Sequence, residues 1–190
     1  MTLIPHQDAC DDVATPDDGA SETSPVKDPD RVLRDKTYLI IDDKPYSMAM
    51  TKGFLKTFGM TRQIDAVDAI QGYRILRDEA VDLVLVSYEM PFMNGIDFTI
   101  RVRQDAESPD PRKPVIVLSW DARESTVLEA INAGVNEFMV KPLSATALYE
   151  RVRSTLLYPR PFIQTAEYFG PDRRLRNIGP DGREKRLPDE

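Results

Sequence analysis

The chain has 190 residues, room for one domain with extensions, and its 41% hydrophobic content is slightly low for a fully packed globule. The formal charge of −7 sits at the start: residues 1–30 hold eight acids and one lysine, so the remainder is neutral, which argues against a basic nucleic-acid surface over the whole domain. One cysteine, Cys10, and one histidine, His6, both lie in that acidic stretch, which excludes a disulfide framework, a Cys/His zinc site and Ser-His or Cys-His catalysis in a folded core. No basic region precedes an apolar stretch at the start, and no apolar run approaches membrane-spanning length, so the expectation is a cytoplasmic protein with no signal peptide and no membrane insertion.

Residues 1–35 are rich in Asp, Pro, Ser, Thr and Gly and carry almost no large apolar side chain after Ile4. They cannot bury enough surface to offset the entropy of ordering and are expected to form a disordered acidic leader, with a short helical start near Asp30–Arg34. Thr37–Ile41 reads as a buried strand ending at Asp42-Asp43. Pro45 suits a helix first turn; Met48, Leu55 and Phe58 form an apolar face and Gly59 ends the helix. Gln63–Val67 is a second strand, and Asp68 caps a helix through Arg77. Asp82–Val86 is a third strand and Ile96–Arg103 a helix with Ile96, Ile100 and Val102 as apolar contacts. After a loop over Ser108–Pro114 come a fourth strand, Val115–Leu118, and a helix containing Thr126–Asn132 closed by Gly134. Asn136–Val140 is a shorter fifth strand, and Ser144 caps a last helix to about Leu157. Strand and helix alternate five times, which implies a parallel sheet with helices on both faces, an α/β fold. The strand tips then bring Asp42, Asp43, Ser87, Ser119 and Lys141 to one edge, provided the first strand is central.

The organising stretch is Val81–Gly95, where a strand buried on both faces breaks at Ser87 and turns through Pro91 and Asn94-Gly95. Together with Ile41-Asp42-Asp43, Met90-Pro91-x-Met93-Asn94-Gly95, Val117-Leu118-Ser119, Ala133-Gly134-Val135-Asn136 and Phe138-x-x-Lys141-Pro142, it resembles the receiver domain of two-component response regulators over roughly residues 36–158. The resemblance implies a CheY-like, flavodoxin-like doubly wound (βα)5 sheet with strand order 2-1-3-4-5. By the same resemblance Asp42 and Asp43 match an acidic pair that holds Mg²⁺, with the backbone carbonyl of Glu89 as a further ligand. Lys141 matches the lysine that pairs with the phosphoryl group, Ser119 the hydroxyl that hydrogen-bonds it, and Phe138 an aromatic that changes rotamer with the switch.

Ser87 stands where that family has its phospho-accepting aspartate. A serine hydroxyl needs a base to attack phosphorus, a phosphoserine is a stable ester, and losing one carboxylate weakens a metal site. The expectation is therefore a degenerate pocket, a pseudo-receiver that is not an enzyme and binds Mg²⁺ weakly if at all. For the acids a structural reading stands beside the metal one: Asp42 and Asp43 could form a salt-bridged cluster with Lys141. Ser119 could cap the following turn, Phe138 could be core packing, and Trp120 is expected partly buried at the pocket rim.

Residues 159–190 form a Pro/Arg-rich tail. Pro159-Arg160-Pro161 stops the last helix, and Phe162, Ile163, Tyr168 and Phe169 could fold back on the domain. Arg173, Arg174, Arg183 and Arg186 suit contacts to phosphate or carboxylate, or pair with the acidic leader or the domain; tails like this resemble those of some bacterial stand-alone receivers. Three functions follow: a signalling module presenting its fourth-helix to fifth-strand face to a sensor kinase or another regulator, without an aspartyl-phosphate switch; residual phosphotransfer at Ser87; or binding of an anionic ligand, a cyclic dinucleotide or nucleic acid, through the arginine tail.

Overall fold

The structure, a computed structural model, describes residues 29–165, 168–173, 177–178 and 184–185. Five parallel strands are laid out in the order β2-β1-β3-β4-β5: β1 (Tyr38–Ile41), β2 (Gln63–Ala66), β3 (Leu83–Ser87), β4 (Val115–Ser119) and β5 (Glu137–Val140). The three inner strands, β1, β3 and β4, are buried along their whole length, while the edges β2 and β5 keep exposed positions. That is why the inner strands read as unbroken apolar runs. The register sets Ile41 beside Val86, Ser87 beside Leu118 and Ser119 beside Val140, so the strands end together at one edge.

Alternate residues of each strand face opposite sides. Leu39, Ile41, Val84, Val86, Val115 and Val117 pack against α3 (Ala69–Asp78), α4 (Gly95–Gln104) and α5 (Glu124–Asn132). Tyr38, Ile40, Leu83, Leu85, Ile116 and Leu118 face α2 (Pro45–Thr57) and α6 (Ala145–Leu157). Asp68 and Ser144 cap α3 and α6 through side-chain oxygens that accept from Gln71 N and Ala147 N, as read from the sequence. Gly59 and Gly134 take positive φ just past α2 and α5.

The acidic leader up to residue 28 lies outside the described residues; the short helix expected near Asp30–Arg34 is present, but it packs as part of the domain rather than ending a disordered leader. Residues expected in the leader form helix α1 (Pro29–Arg34), whose Leu33 is fully buried in the α2/α6 side of the core and whose Leu33 carbonyl accepts from Tyr38 Oη at 2.7 Å. Tyr149 of α6 donates to Asp30 of α1.

Beyond α6 the chain folds back as a strap. Strands β6 (Phe162–Gln164) and β7 (Phe169–Pro171) pair antiparallel, and Tyr168 is buried with its hydroxyl donating to Pro171 O at 2.7 Å. The strap lies so close to the start of β5 that a Cβ on Gly134 would sit 2.7 Å from Phe169 O. Arg103 locks this region: it is buried and donates to Gly134 O, Pro111 O, Lys113 O and Asn136 Oδ1, while its guanidinium lies 5.1 Å from the Phe162 ring. A further antiparallel pair joins β8 (Asn177–Ile178) and β9 (Glu184–Lys185). Among the described residues no helix is long and apolar enough to cross a membrane.

Candidate functional site

The site is built on the common edge where β1, β3, β4 and β5 end. Ser87 closes β3 and is buried. Its placement depends on Gly95, the first residue of α4: a Cβ there would meet Ser87 O at 2.7 Å, so only glycine lets the helix start so near the strand tip. Asn94 caps α4 by accepting from Ile96 N and Asp97 N, and Asp97 returns the contact to Asn94 N. Between Ser87 and this cap the loop carries Phe92 at φ 67° with its ring fully exposed.

Lys141 follows β5 and reaches back under the sheet edge with a fully buried side chain. An ammonium has three donors. All three are used: Lys141 Nζ donates to Asp42 Oδ2 at 3.0 Å, Ser47 Oγ at 2.9 Å and Ser87 Oγ at 3.1 Å. Ser47, in the first turn of α2, donates in turn to Asp42 Oδ2 at 2.6 Å, and Asp42 Oδ1 accepts from Lys44 N at 2.9 Å. Asp42, Ser47, Ser87 and Lys141 are thus one closed, buried network. Asp42 is salt-bridged to Lys141. Asp43 does not join it: its Oδ1 is buried and has no hydrogen-bond partner.

The second half of the site is organised by a residue for which only a backbone role had been expected. The Glu89 side chain turns toward the β4–α5 loop. Its Oε1 accepts from Ser119 Oγ at 2.7 Å, Trp120 N at 2.7 Å and Asp121 N at 3.2 Å, and its Oε2 is buried without a partner. Asp121 N also donates to Ser119 Oγ, and the Asp121 carboxylate accepts from Arg123 and from Thr126 Oγ1 at 2.8 Å. These hydrogen bonds from Arg123 hold the Asp121 carboxyl far below the usual carboxylate range. Ser119 therefore both donates to Glu89 and anchors the turn, in line with the capping reading.

Trp120, expected partly buried at the rim, is 51% exposed; its backbone is the part hydrogen-bonded in the site, and its ring centroid stands 5.9 Å from Lys141 Nζ. Phe138 is half-buried and packs against the α3/α4/α5 side of the core. Of the tail arginines, Arg173 stacks on the Tyr168 ring at 3.6 Å, away from the strand tips, whereas Arg174, Arg183 and Arg186 lie outside the described residues. Ser47 and the Glu89 carboxylate were missed in the sequence. Neither carried a spacing signal, because both contacts are made across loops that only the fold brings together.

Magnesium is the ion the resemblance implies, and the donor set tests it. Both oxygens of Asp42 are engaged, and Asp43 Oδ1 is buried without a hydrogen-bond partner. Among the described residues no group of three or more His, Cys, Asp or Glu side chains could hold a metal ion. The residues do not fit a tightly held Mg²⁺, which wants oxygen ligands in near-octahedral array.

Comparison with known proteins agrees with the geometry. A family model described as the response regulator receiver domain matches residues 38–153. Chemotaxis protein CheY-3 of Vibrio cholerae serotype O1 is 32% identical over 114 residues, 60% of this chain and 86% of the relative. Chemotaxis protein CheY of Pseudomonas aeruginosa is 32% identical over 114 residues, 60% and 90% of the two chains. Among solved structures, V. cholerae CheY4 superposes with a TM-score of 0.58 at 21% identity, covering 64% of this chain and 98% of that one. The receiver domain of a sensor histidine kinase from P. aeruginosa PAO1, with a magnesium ion coordinated in its active-site cleft, gives 0.56 at 23% identity, covering 64% and 97%. These two likenesses concern the fold. With the 2-1-3-4-5 sheet, the acids and lysine gathered at its edge and a family match across most of the folded region, the chain belongs to the response regulator receiver domain family.

Proposed function

We propose that this protein is a two-component receiver module that works by protein–protein interaction, with no phosphorylation switch at Ser87. Its partner is a sensor kinase or another regulator, met in the cytoplasm. The observation that carries the reading is the saturated ammonium of Lys141, whose donors are spent on Asp42, Ser47 and Ser87. A lysine that is to offset charge on an incoming phosphoryl group needs a donor free to meet it. Ser87 fares no better as a nucleophile. Its oxygen accepts from a cation, which withdraws electron density, whereas attack on phosphorus needs a base to take the hydroxyl proton. The module is thus non-catalytic, and any Mg²⁺ it takes is held weakly, with the Asp43 carboxylate, whose buried Oδ1 lacks a hydrogen-bond partner, as its ligand.

The experiment is intact-mass measurement after incubation with acetyl phosphate and Mg²⁺. The expected result is no added mass. Phosphate found on Ser87 would overturn the reading in favour of residual phosphotransfer. A pull-down with and without residues 159–190 then separates partner binding by the domain from partner binding by the tail.

A further inference from the structure

Three donors from one loop converge on a single oxygen of Glu89. Ser119 Oγ, Trp120 N and Asp121 N point at Oε1, and two of them are successive backbone amides, the arrangement that makes an anion-binding concavity. Ser119 is fully buried and Glu89 Oε2 is shielded, so water competes poorly at the Ser119 end of the contact, while the Trp120 end lies at the exposed rim. The carboxylate crosses from the end of β3 to the end of β4, adjacent strands in register at Ser87 and Leu118. From there the order runs on. Asp121 N binds Ser119 Oγ, and the Asp121 carboxylate binds Arg123 and Thr126, the residues that start α5.

We propose that Glu89 is a built-in anion: its carboxylate fills the oxyanion cradle of Ser119, Trp120 and Asp121 and holds the β4–α5 loop and the first turn of α5 in one arrangement, with no group added from outside. This deepens the reading of a phosphorylation-independent module and rests on it, because the clamp makes an added anion unnecessary. The surface it sets is the one carried by α5, whose Leu128 and Ile131 are exposed. With the cradle emptied, it accepts a small carboxylate such as formate, which matches the group removed.

The test is amide hydrogen exchange of Trp120 and Asp121 in the full chain. Glu89→Gln keeps the shape and removes the charge. Charge-assisted hydrogen bonds are stronger than neutral ones by roughly 1–2 kcal/mol, so protection at both amides should fall by about ten-fold. Glu107→Gln, the same charge change at an exposed site, should leave it alone. Glu89→Ala should lose protection further and regain most of it in sodium formate but not in sodium chloride of equal ionic strength. Unchanged protection in Glu89→Gln overturns the clamp. So does Glu89→Ala that folds and shows no difference between formate and chloride; should Glu89→Ala not fold, the Gln variant decides. The outcomes are independent of the acetyl phosphate experiment. Phosphate on wild-type Ser87 sinks the functional reading and with it the clamp's standing in for an added anion, while the exchange data still report separately whether Glu89 holds the loop; unchanged amides sink the clamp and leave the functional reading.

Discussion

Lys141→Met replaces a buried ammonium by an apolar side chain of similar length, and its cost follows from what is left behind. Asp42 would stay buried at 3% exposure of its side chain, with Ser47 Oγ and Lys44 N as remaining donors and no cation. Removing one partner of a buried pair costs about 3–5 kcal/mol, because the other charge is stranded. The two surviving hydrogen bonds place this case near the lower end, about 3 kcal/mol. Asp42→Asn strands the lysine instead and should cost a similar amount. The double variant, Lys141→Met with Asp42→Asn, strands neither charge. It should cost at least ~2 kcal/mol less than the sum of the two, since residues in direct contact couple by up to about 3 kcal/mol. Urea unfolding at pH 7 measures each value, and the thermal midpoint of the single variant should fall by about 6–12 °C, at roughly 2–4 °C per kcal/mol for a protein of this size. A single-variant cost below ~1 kcal/mol, or two costs that simply add, would refute the closed network and with it the argument that Lys141 has no donor to spare.

Other expectations concern the surroundings of the site. Phe92 holds φ 67° with no packing for its ring, so Phe92→Asn, which tolerates that backbone, should raise stability by up to about 1 kcal/mol in urea melts. Gly134→Ala should lose about 1–3 kcal/mol and speed chymotryptic cleavage after Phe162 in the strap, because the new methyl collides with Phe169 O and φ is positive. Gly53→Ala, in the middle of α2 with nothing near its Cβ, should instead gain roughly 0.5–1 kcal/mol. Asp82 is pulled upward by burial, but hydrogen bonds from Thr37 N and Lys36 outweigh it and hold its carboxyl below the usual range. Its stabilisation is therefore present above the unfolded carboxyl pKa of about 3.9 and lost as pH falls through the lower folded value, so Asp82→Asn should flatten the acid side of the melting-temperature profile below about pH 5.

Which of these features could be read from the sequence follows from how local their causes are. The inner strands were legible because burial on both faces forces an apolar run, and the helix starts at Asp68 and Ser144 because a cap acts within three residues. Helix α1 was legible only as a hint: six residues hold no helix by themselves, and it is the seating of Leu33 under α6 that orders them. The apolar residues of the strap stood out, but its docking point did not, since Gly134 and Arg103 meet it only through the fold. The Asp42–Lys141 contact joins residues 99 apart and became readable once strand tips were assigned to one edge. The turn of Glu89 toward Ser119 is a rotamer choice made across two loops, and no spacing encodes it.

Ser87 and Glu89 together change what it would take to give this pocket a phosphorylation switch. Ser87→Asp alone supplies a carboxylate nucleophile beside Lys141, which already directs one of its three donors to residue 87. A third acid near Asp42 and Asp43 repels both unless a cation joins them, so the variant should melt lower without Mg²⁺ and recover with it. Yet Ser119 would still be held by Glu89, and its hydroxyl could not turn to a group on residue 87. Transfer from acetyl phosphate breaks the P–O bond to acetate and forms one to the new carboxylate; it needs no help from Ser119, so added mass is expected in Ser87→Asp with Mg²⁺. The exchange rates of Trp120 and Asp121 should nonetheless stay those of the wild type, because their acceptor is unchanged. Only Ser87→Asp combined with Glu89→Ala frees the cradle for the new phosphoryl oxygens, and only there should beryllofluoride restore amide protection that its absence removes. If the single Ser87→Asp variant already shows a beryllofluoride-dependent change at Trp120, Glu89 yields to the incoming anion and does not hold the loop against it. A double variant that stays inert with a folded core would place the barrier at the Asp42–Ser47–Lys141 network instead.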